Sequence, residues 1–203
     1  FWNHLYFETP PHNYEQSRHG NPTDLLASGI FAADHVNSVS ETFLKEVVEG
    51  VHSFVPDSIR GELSNKFHAG CATGILNAPD ASYDPTTDAA LEFKYDHKNV
   101  MEGKAINKQK LQERAGLNVD PNAPIFFWPS RLDPMQKGCQ LLADILYQMI
   151  ADHSDIGLQV AIIANGSFQP HFRQIVELHG LQGRVAVEDF DESYSRLGYA
   201  ASD

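Results

Sequence analysis

Arg131 and Lys137 stand six residues apart in one short loop of a chain in which acidic side chains outnumber basic ones. The loop follows an apolar run, Pro124-Ile125-Phe126-Phe127-Trp128-Pro129, and leads through Gly138 into an amphipathic stretch from Cys139 to Ile150. The pattern reads as a buried strand, a cationic loop and a helix N-terminus. That order suits an anion, because the free N–H groups and the dipole at a helix N-terminus favour negative charge and the two side chains add whole positive charges. Arginine can grip a diphosphate bidentately, and lysine acts as a compact point charge. The same spacing also fits a surface loop whose Arg and Lys are simply solvated. The residues alone leave both readings open.

Two more strand ends carry candidate residues. Ile163-Ala164-Asn165-Gly166-Ser167 closes the next strand, and ligands of open α/β sheets bind outside the carboxyl ends of strands. Gly166 would permit close backbone approach, although an ordinary strand-to-helix turn has the same composition. Glu188-Asp189-Phe190-Asp191-Glu192 closes the third strand. Phe190 is suited to stacking a nucleobase, whereas Asp191 and Glu192 read as the acidic start of a helix. Asp84-Pro85-Thr86-Thr87-Asp88 lacks the spacing of a calcium loop and reads as a turn with a helix cap. The ten histidines form no HExxH and no pair set against a cysteine pair, so no metal is expected. Ser130 lacks a G-x-S-x-G frame. No G-x-G-x-x-G follows the 124–130 strand, which argues against dinucleotide binding.

These loops need a frame, and the hydrophobic pattern supplies one. Strand 124–130, helix 138–152, strand 157–164, helix 168–179, strand 184–188 and helix 192–200 alternate with short connections, predicting a parallel sheet with crossover helices. The first two strands are nearly all apolar, as expected for burial on both faces. Upstream, residues 1–20 read as loop with room for a short extended piece. A helical pattern opens at Pro22-Thr23-Asp24, His35–Val39 is a strand candidate, and Ser40 caps a helix from Glu41 to Glu49. Residues 51–70 read as irregular, Ala72–Asn77 as a short strand, residues 88–98 as weakly patterned, and Lys104–Ala115 as a helix ending at Gly116.

The composition bounds the function classes. The chain has 203 residues, 42% hydrophobic and 21% charged, enough for one substantial core or for one domain and part of another. A formal net charge of −12 argues against general affinity for nucleic acid or for an anionic membrane surface. No apolar run approaches the length of a membrane span. Cys71 and Cys139 lie in unrelated contexts, so no disulfide framework is expected and a reducing compartment fits. The aromatic start without Met and the close at Ala200-Ala201-Ser202-Asp203, where an α/β unit would deliver its next strand, read as a piece of a longer protein.

Taken in order, the blocks resemble the bacterial glycogen synthase and plant starch synthase family. Ala32-Ala33-Asp34-His35-Val36-Asn37-Ser38-Val39-Ser40 resembles the family's "ADHI-x-AVS". Gly74-Ile75-Leu76-Asn77-Ala78-Pro79-Asp80 with Tyr83-Asp84-Pro85-Thr86-Thr87-Asp88 resembles "GILNGID…W-x-P-x-TD". Lys104-Ala105-Ile106-Asn107-Lys108 resembles "KAENK", and Ser130-Arg131-Leu132 with Gln136-Lys137-Gly138 resembles "SRL…QKG". The resemblance implies an α/β, GT-B glycosyltransferase. Residues 1–70 would be the end of the N-terminal domain and the crossover, and residues 71–203 a partial nucleotide-sugar-binding Rossmann-like domain. It implies retaining transfer of glucose from ADP-glucose to the non-reducing end of an α-1,4-glucan, in a bacterial cytoplasm or a plastid, with no metal and no other cofactor.

Arg131 and Lys137 match the family's diphosphate-binding cations, and Gly166 its turn against the nucleotide. Phe190 falls where an aromatic packs on the adenine, and Asp203 where an Asp precedes the next strand. The loop from Arg131 to Lys137 is longer than usual, Asn165-Gly166-Ser167 replaces the usual glycine pair, and Ala78-Pro79 replaces Gly-Ile. The family's "K-x-GGL" loop, its N-domain catalytic His and its "P-S-x-x-E-P-C-G" segment have no counterpart in these residues. This chain by itself is therefore not expected to catalyse the transfer. A UDP-glucose enzyme of the same fold, of sucrose-synthase type, and a non-catalytic glucan- or partner-binding module remain the alternatives.

Overall fold

A computed structural model describes residues 5–7, 20–134 and 136–203. The chain divides into two units, Phe1–Pro79 and Asp80–Asp203. Most of the predicted loop over residues 1–20 lies outside the described residues, and so does Met135 of the cationic loop.

In the first unit, β1 (Tyr6–Phe7) pairs antiparallel with β2 (Thr23–Asp24). Asp24 then caps α1 (Leu25–Ala32), its side chain accepting from the Ala27 N–H at 2.9 Å. Strand β3 (Val36–Ser38) leads to α2 (Glu41–Val48), which Ser40 caps as predicted by accepting from the Phe43 N–H at 3.2 Å. The region read as irregular contains a three-turn helix, α3 (Asp57–His68). Its signal is thin: Ile59, Leu63 and Phe67 form one stripe four residues apart, and Gly61, Ser64 and Asn65 supply the turn-like composition that hides it. Strand β4 (Ala72–Gly74) pairs in parallel with β3 and belongs with the first unit, although the sequence places it at the opening of the second domain.

The second unit holds the predicted alternation. After a 3₁₀ turn at Ala81–Tyr83 come α4 (Val100–Ala115), β5 (Ile125–Trp128), α5 (Cys139–Asp152), β6 (Gln159–Ile163), α6 (Gln169–Leu178), β7 (Val185–Glu188) and α7 (Glu192–Ala201). The three strands form a parallel sheet in the order β5-β6-β7. Val160 and Ile162 join the core of Leu146, Ile150 and Phe172 on one side. Ala161 and Ile163 join Leu111, Tyr194 and Leu197 on the other. All five residues of β6 are buried, four as its apolar run predicts and Gln159 with its amide donating to the Asn118 carbonyl at 2.7 Å. Strand β5 departs from that expectation, since Phe126 is 53% exposed. It lies at the edge of the described sheet, where Asp203 bonds Ile125 through N–H to O at 3.2 Å and through its carboxylate to the Ile125 N–H at 2.9 Å.

Lys108, almost fully buried, donates to the Asp203 carboxylate at 2.7 Å and to the Ala123 carbonyl at 3.1 Å. Burial pushes the Asp203 carboxyl up, but the bonds from Lys108 and the Ile125 N–H outweigh it and hold the group below the usual carboxylate range.

Helix α4 also carries the loop before it. Asn107 donates to the Phe93 carbonyl at 2.8 Å, and Gly103 makes room for Tyr95. A Cβ at Gly103 would lie 2.4 Å from Tyr95 Cβ. Replacing an exposed helical glycine by alanine normally stabilises, by roughly 0.5–1 kcal/mol. Here the clash is close to the backbone and reverses the sign. Gly103→Ala is expected to cost about 1–3 kcal/mol in denaturant unfolding, and an unchanged or raised midpoint would show that the loop yields freely.

Candidate functional site

The three stretches singled out in the sequence lie at the carboxyl ends of β5, β6 and β7, and one residue joins them. Asn165 accepts the Leu132 N–H on its backbone carbonyl at 3.0 Å. Its side-chain Oδ1 accepts the Phe190 N–H at 2.9 Å. The cationic loop, the Gly166 turn and the Phe190 loop are thus tied to each other, which sheet order permits because β6 is the middle strand.

The cationic loop is anchored at both ends. Leu132 and Cys139 are fully buried in the core under β6. Between them Asp133 organises the chain: its side chain accepts the Gln136 N–H at 2.9 Å, and its carbonyl accepts from the Lys137 N–H at 3.2 Å and the Cys139 thiol at 3.3 Å. Burial pushes the Cys139 thiol up, so it remains a small apolar plug. Gly138, at φ 67°, turns the chain into α5.

Arg131 and Lys137 are both exposed. Among the described residues of this unit the cations in ion pairs are Lys108, Lys110, Arg114, Arg173 and Arg196. Arg131 and Lys137 are not among them, so among the described residues neither has its charge committed to an ion pair.

Gly166 has φ 156°, and a Cβ there would lie 2.4 Å from the Leu132 carbonyl oxygen. The turn packs directly on the backbone of the cationic loop, a closeness only glycine allows. Phe190 is 50% exposed on a loop held from the opposite side as well. Gln169, in the first turn of α6, donates to the carbonyls of Ala164 at 3.0 Å and Glu188 at 3.2 Å and to the Asp189 carboxylate at 3.0 Å. Hydrogen bonds from Gln169 and then Arg173 hold the Asp189 carboxyl below its usual range. Asp191 caps α7 by accepting the Tyr194 N–H at 2.8 Å, and Glu192 lies in the first turn, so both acids have the helix-starting role read from the sequence.

The Asp84–Asp88 block forms the predicted turn but caps no helix, since the next helix begins only at Val100. Asp84 accepts from the Thr86 N–H at 2.9 Å and its hydroxyl at 2.7 Å, and the Asp88 N–H closes onto the Asp84 carbonyl at 2.8 Å.

Sequence reasoning missed Asn165 and Gln169. The Asn-Gly pair carried the usable signal, since asparagine in a turn commonly bonds nearby backbone. Nothing local indicates that its partner is twenty-five residues away.

No family model matches the chain. The glycogen synthase of Yersinia pseudotuberculosis serotype O:1b (strain IP 31758) is 35% identical over 182 residues, covering 88% of this chain and 36% of the relative. That of Yersinia enterocolitica serotype O:8 is 33% identical over 180 residues, with the same coverage. Among solved structures, the catalytic domain of starch synthase IV from Arabidopsis thaliana, bound to ADP and acarbose, superposes with a TM-score of 0.72 at 27% identity, covering 90% of this chain and 36% of that one.

Over these residues the chain is homologous to the glycogen and starch synthases. The α/β, GT-B fold class expected from the sequence is that of the Arabidopsis neighbour. The chain spans just over a third of the length of the relatives it matches, at 36%.

Proposed function

We propose that this chain carries the donor-nucleotide half of a glycogen or starch synthase site. The complete enzyme would transfer glucose from ADP-glucose to the non-reducing end of an α-1,4-glucan, with retention of configuration. Arg131 and Lys137 hold the diphosphate, Gly166 lets the backbone approach it, and Phe190 packs on the base. The observation that carries this reading is the Asn165 junction, which ties the loop bearing Arg131 to the loop bearing the exposed Phe190 across one glycine turn. The ADP and acarbose bound by the Arabidopsis catalytic domain support a nucleoside diphosphate and a glucan-like acceptor as the ligands.

The chemistry follows from charge. As the glycosidic bond to the diphosphate breaks, negative charge grows on the departing phosphate oxygens. Cations placed beside those oxygens stabilise that charge as it develops. Arg131 meets two oxygens at once, and Lys137 adds a mobile point charge. Protein groups supplied by other parts of the enzyme would complete the sugar side.

Titration calorimetry of the chain with ADP and with UDP tests the assignment. ADP is expected to bind more tightly than UDP, and to weaken as salt rises because exposed charges are screened over about 10 Å at 0.1 M. No ADP binding, or tighter binding of UDP, would refute the reading.

A further inference from the structure

We infer that Asn165 is the positioning residue that makes this site discriminate between nucleoside diphosphates, by holding the base-side loop in register with the phosphate-side loop. The inference rests on the donor-site reading above. Its evidence is a division of labour within one residue. The backbone carbonyl of Asn165 serves the cationic loop through the Leu132 N–H at 3.0 Å. Its side chain serves the aromatic loop through the Phe190 N–H at 2.9 Å. Backbone contacts survive substitution and side-chain contacts do not. Removing the Asn165 side chain therefore leaves the phosphate end built while the base end loses its tie to it.

Gln169 cannot replace that tie. It fixes Glu188 and Asp189 to the end of β6, stopping one residue before Phe190. The Asn165 side chain is thus the link that reaches the Phe190 amide. A diphosphate is common to ADP and UDP, so Arg131 and Lys137 do not distinguish them. Discrimination has to come from the base end, and there a displaced loop changes the fit of a purine against a pyrimidine.

The test uses the whole chain with pyrophosphate, ADP and UDP as probes. For N165A the ADP-to-UDP affinity ratio is expected to fall about three- to tenfold, the range one net hydrogen bond spans, while pyrophosphate affinity stays the same. N165D keeps an acceptor for the Phe190 N–H but adds a negative charge near the phosphates. It is expected to weaken all three probes and to preserve the ratio, because ADP and UDP feel that charge alike. Hydrogen exchange gives a reading independent of binding: protection of the Phe190 amide is lost in N165A and kept in N165D.

An unchanged ratio in N165A overturns the inference, as does a matching loss of pyrophosphate affinity or loss of the ratio in N165D. Wild-type chain that binds neither ADP nor pyrophosphate overturns the donor-site reading itself, an outcome distinct from these. Comparison of melting temperatures separates any of them from unfolding.

Discussion

Arg131→Ala is expected to remove most of the diphosphate affinity of this chain, and in an enzyme built on this segment to slow turnover by about 2–4 kcal/mol of transition-state stabilisation. That range corresponds to roughly 30- to 900-fold in rate. The size follows from how the residue is held. Its neighbour Leu132 is fully buried and hydrogen-bonded to Asn165, so the main chain at Arg131 is preorganised. No carboxylate among the described residues pairs with it, so the guanidinium has no competing partner to leave. Arg131→Lys keeps the charge and loses the planar fork, and is expected to recover only part of the loss. The same calorimetry with each variant, read at two salt concentrations, separates charge from geometry. Arg131→Ala with unchanged ADP affinity and unchanged salt dependence would remove Arg131 from the site.

Gly166→Ala is expected to damage fold and site together. The added Cβ meets the Leu132 carbonyl oxygen at 2.4 Å, its carbonyl carbon at 2.8 Å and its Cα at 2.9 Å. All three are backbone atoms of a residue locked in the core, so neither side retreats cheaply. The φ of 156° is one that side-chain-bearing residues rarely adopt. Overpacking and backbone strain together suggest a loss of about 2–4 kcal/mol, read as a shift of the unfolding midpoint. Chain that remains folded must have moved the Gly166 turn away from Leu132, so ADP affinity is expected to fall as well. Ser167→Ala, next in the chain and exposed, is the control and should leave both quantities near wild type. Wild-type stability and affinity in Gly166→Ala would mean that the turn and the cationic loop do not depend on each other.

Much of this was legible from local pattern. The β/α alternation from residue 124 onward survives intact because apolar runs and amphipathic helices are short-range signals, and each element buries the face its own periodicity marks. Caps followed the same logic: Ser40 and Asp191 bond N–H groups three residues ahead, a distance any reader of the sequence can count. Helix α3 was lost for the opposite reason. Its glycine, serine and asparagine carry turn preferences, and packing of one apolar stripe overrode them. Strand β4 read as the opening of a new domain because nothing in Ala72-Thr73-Gly74 names its partner, which is a strand 36 residues earlier in a parallel register.

The candidate site divides along the same line. The sequence by itself determined which residues could serve a nucleotide: Arg131 and Lys137 by charge, Gly166 by the absence of a side chain and Phe190 by its aromatic face. Only the tertiary structure decided that the loops carrying them are tied to one another. Sheet order puts β6 between β5 and β7, and that adjacency lets one asparagine bond the loops on both sides. The physical reason is range. Charge, ring and conformational freedom are properties of a residue, whereas a hydrogen bond between positions 165 and 190 exists only after the strands that carry them have paired.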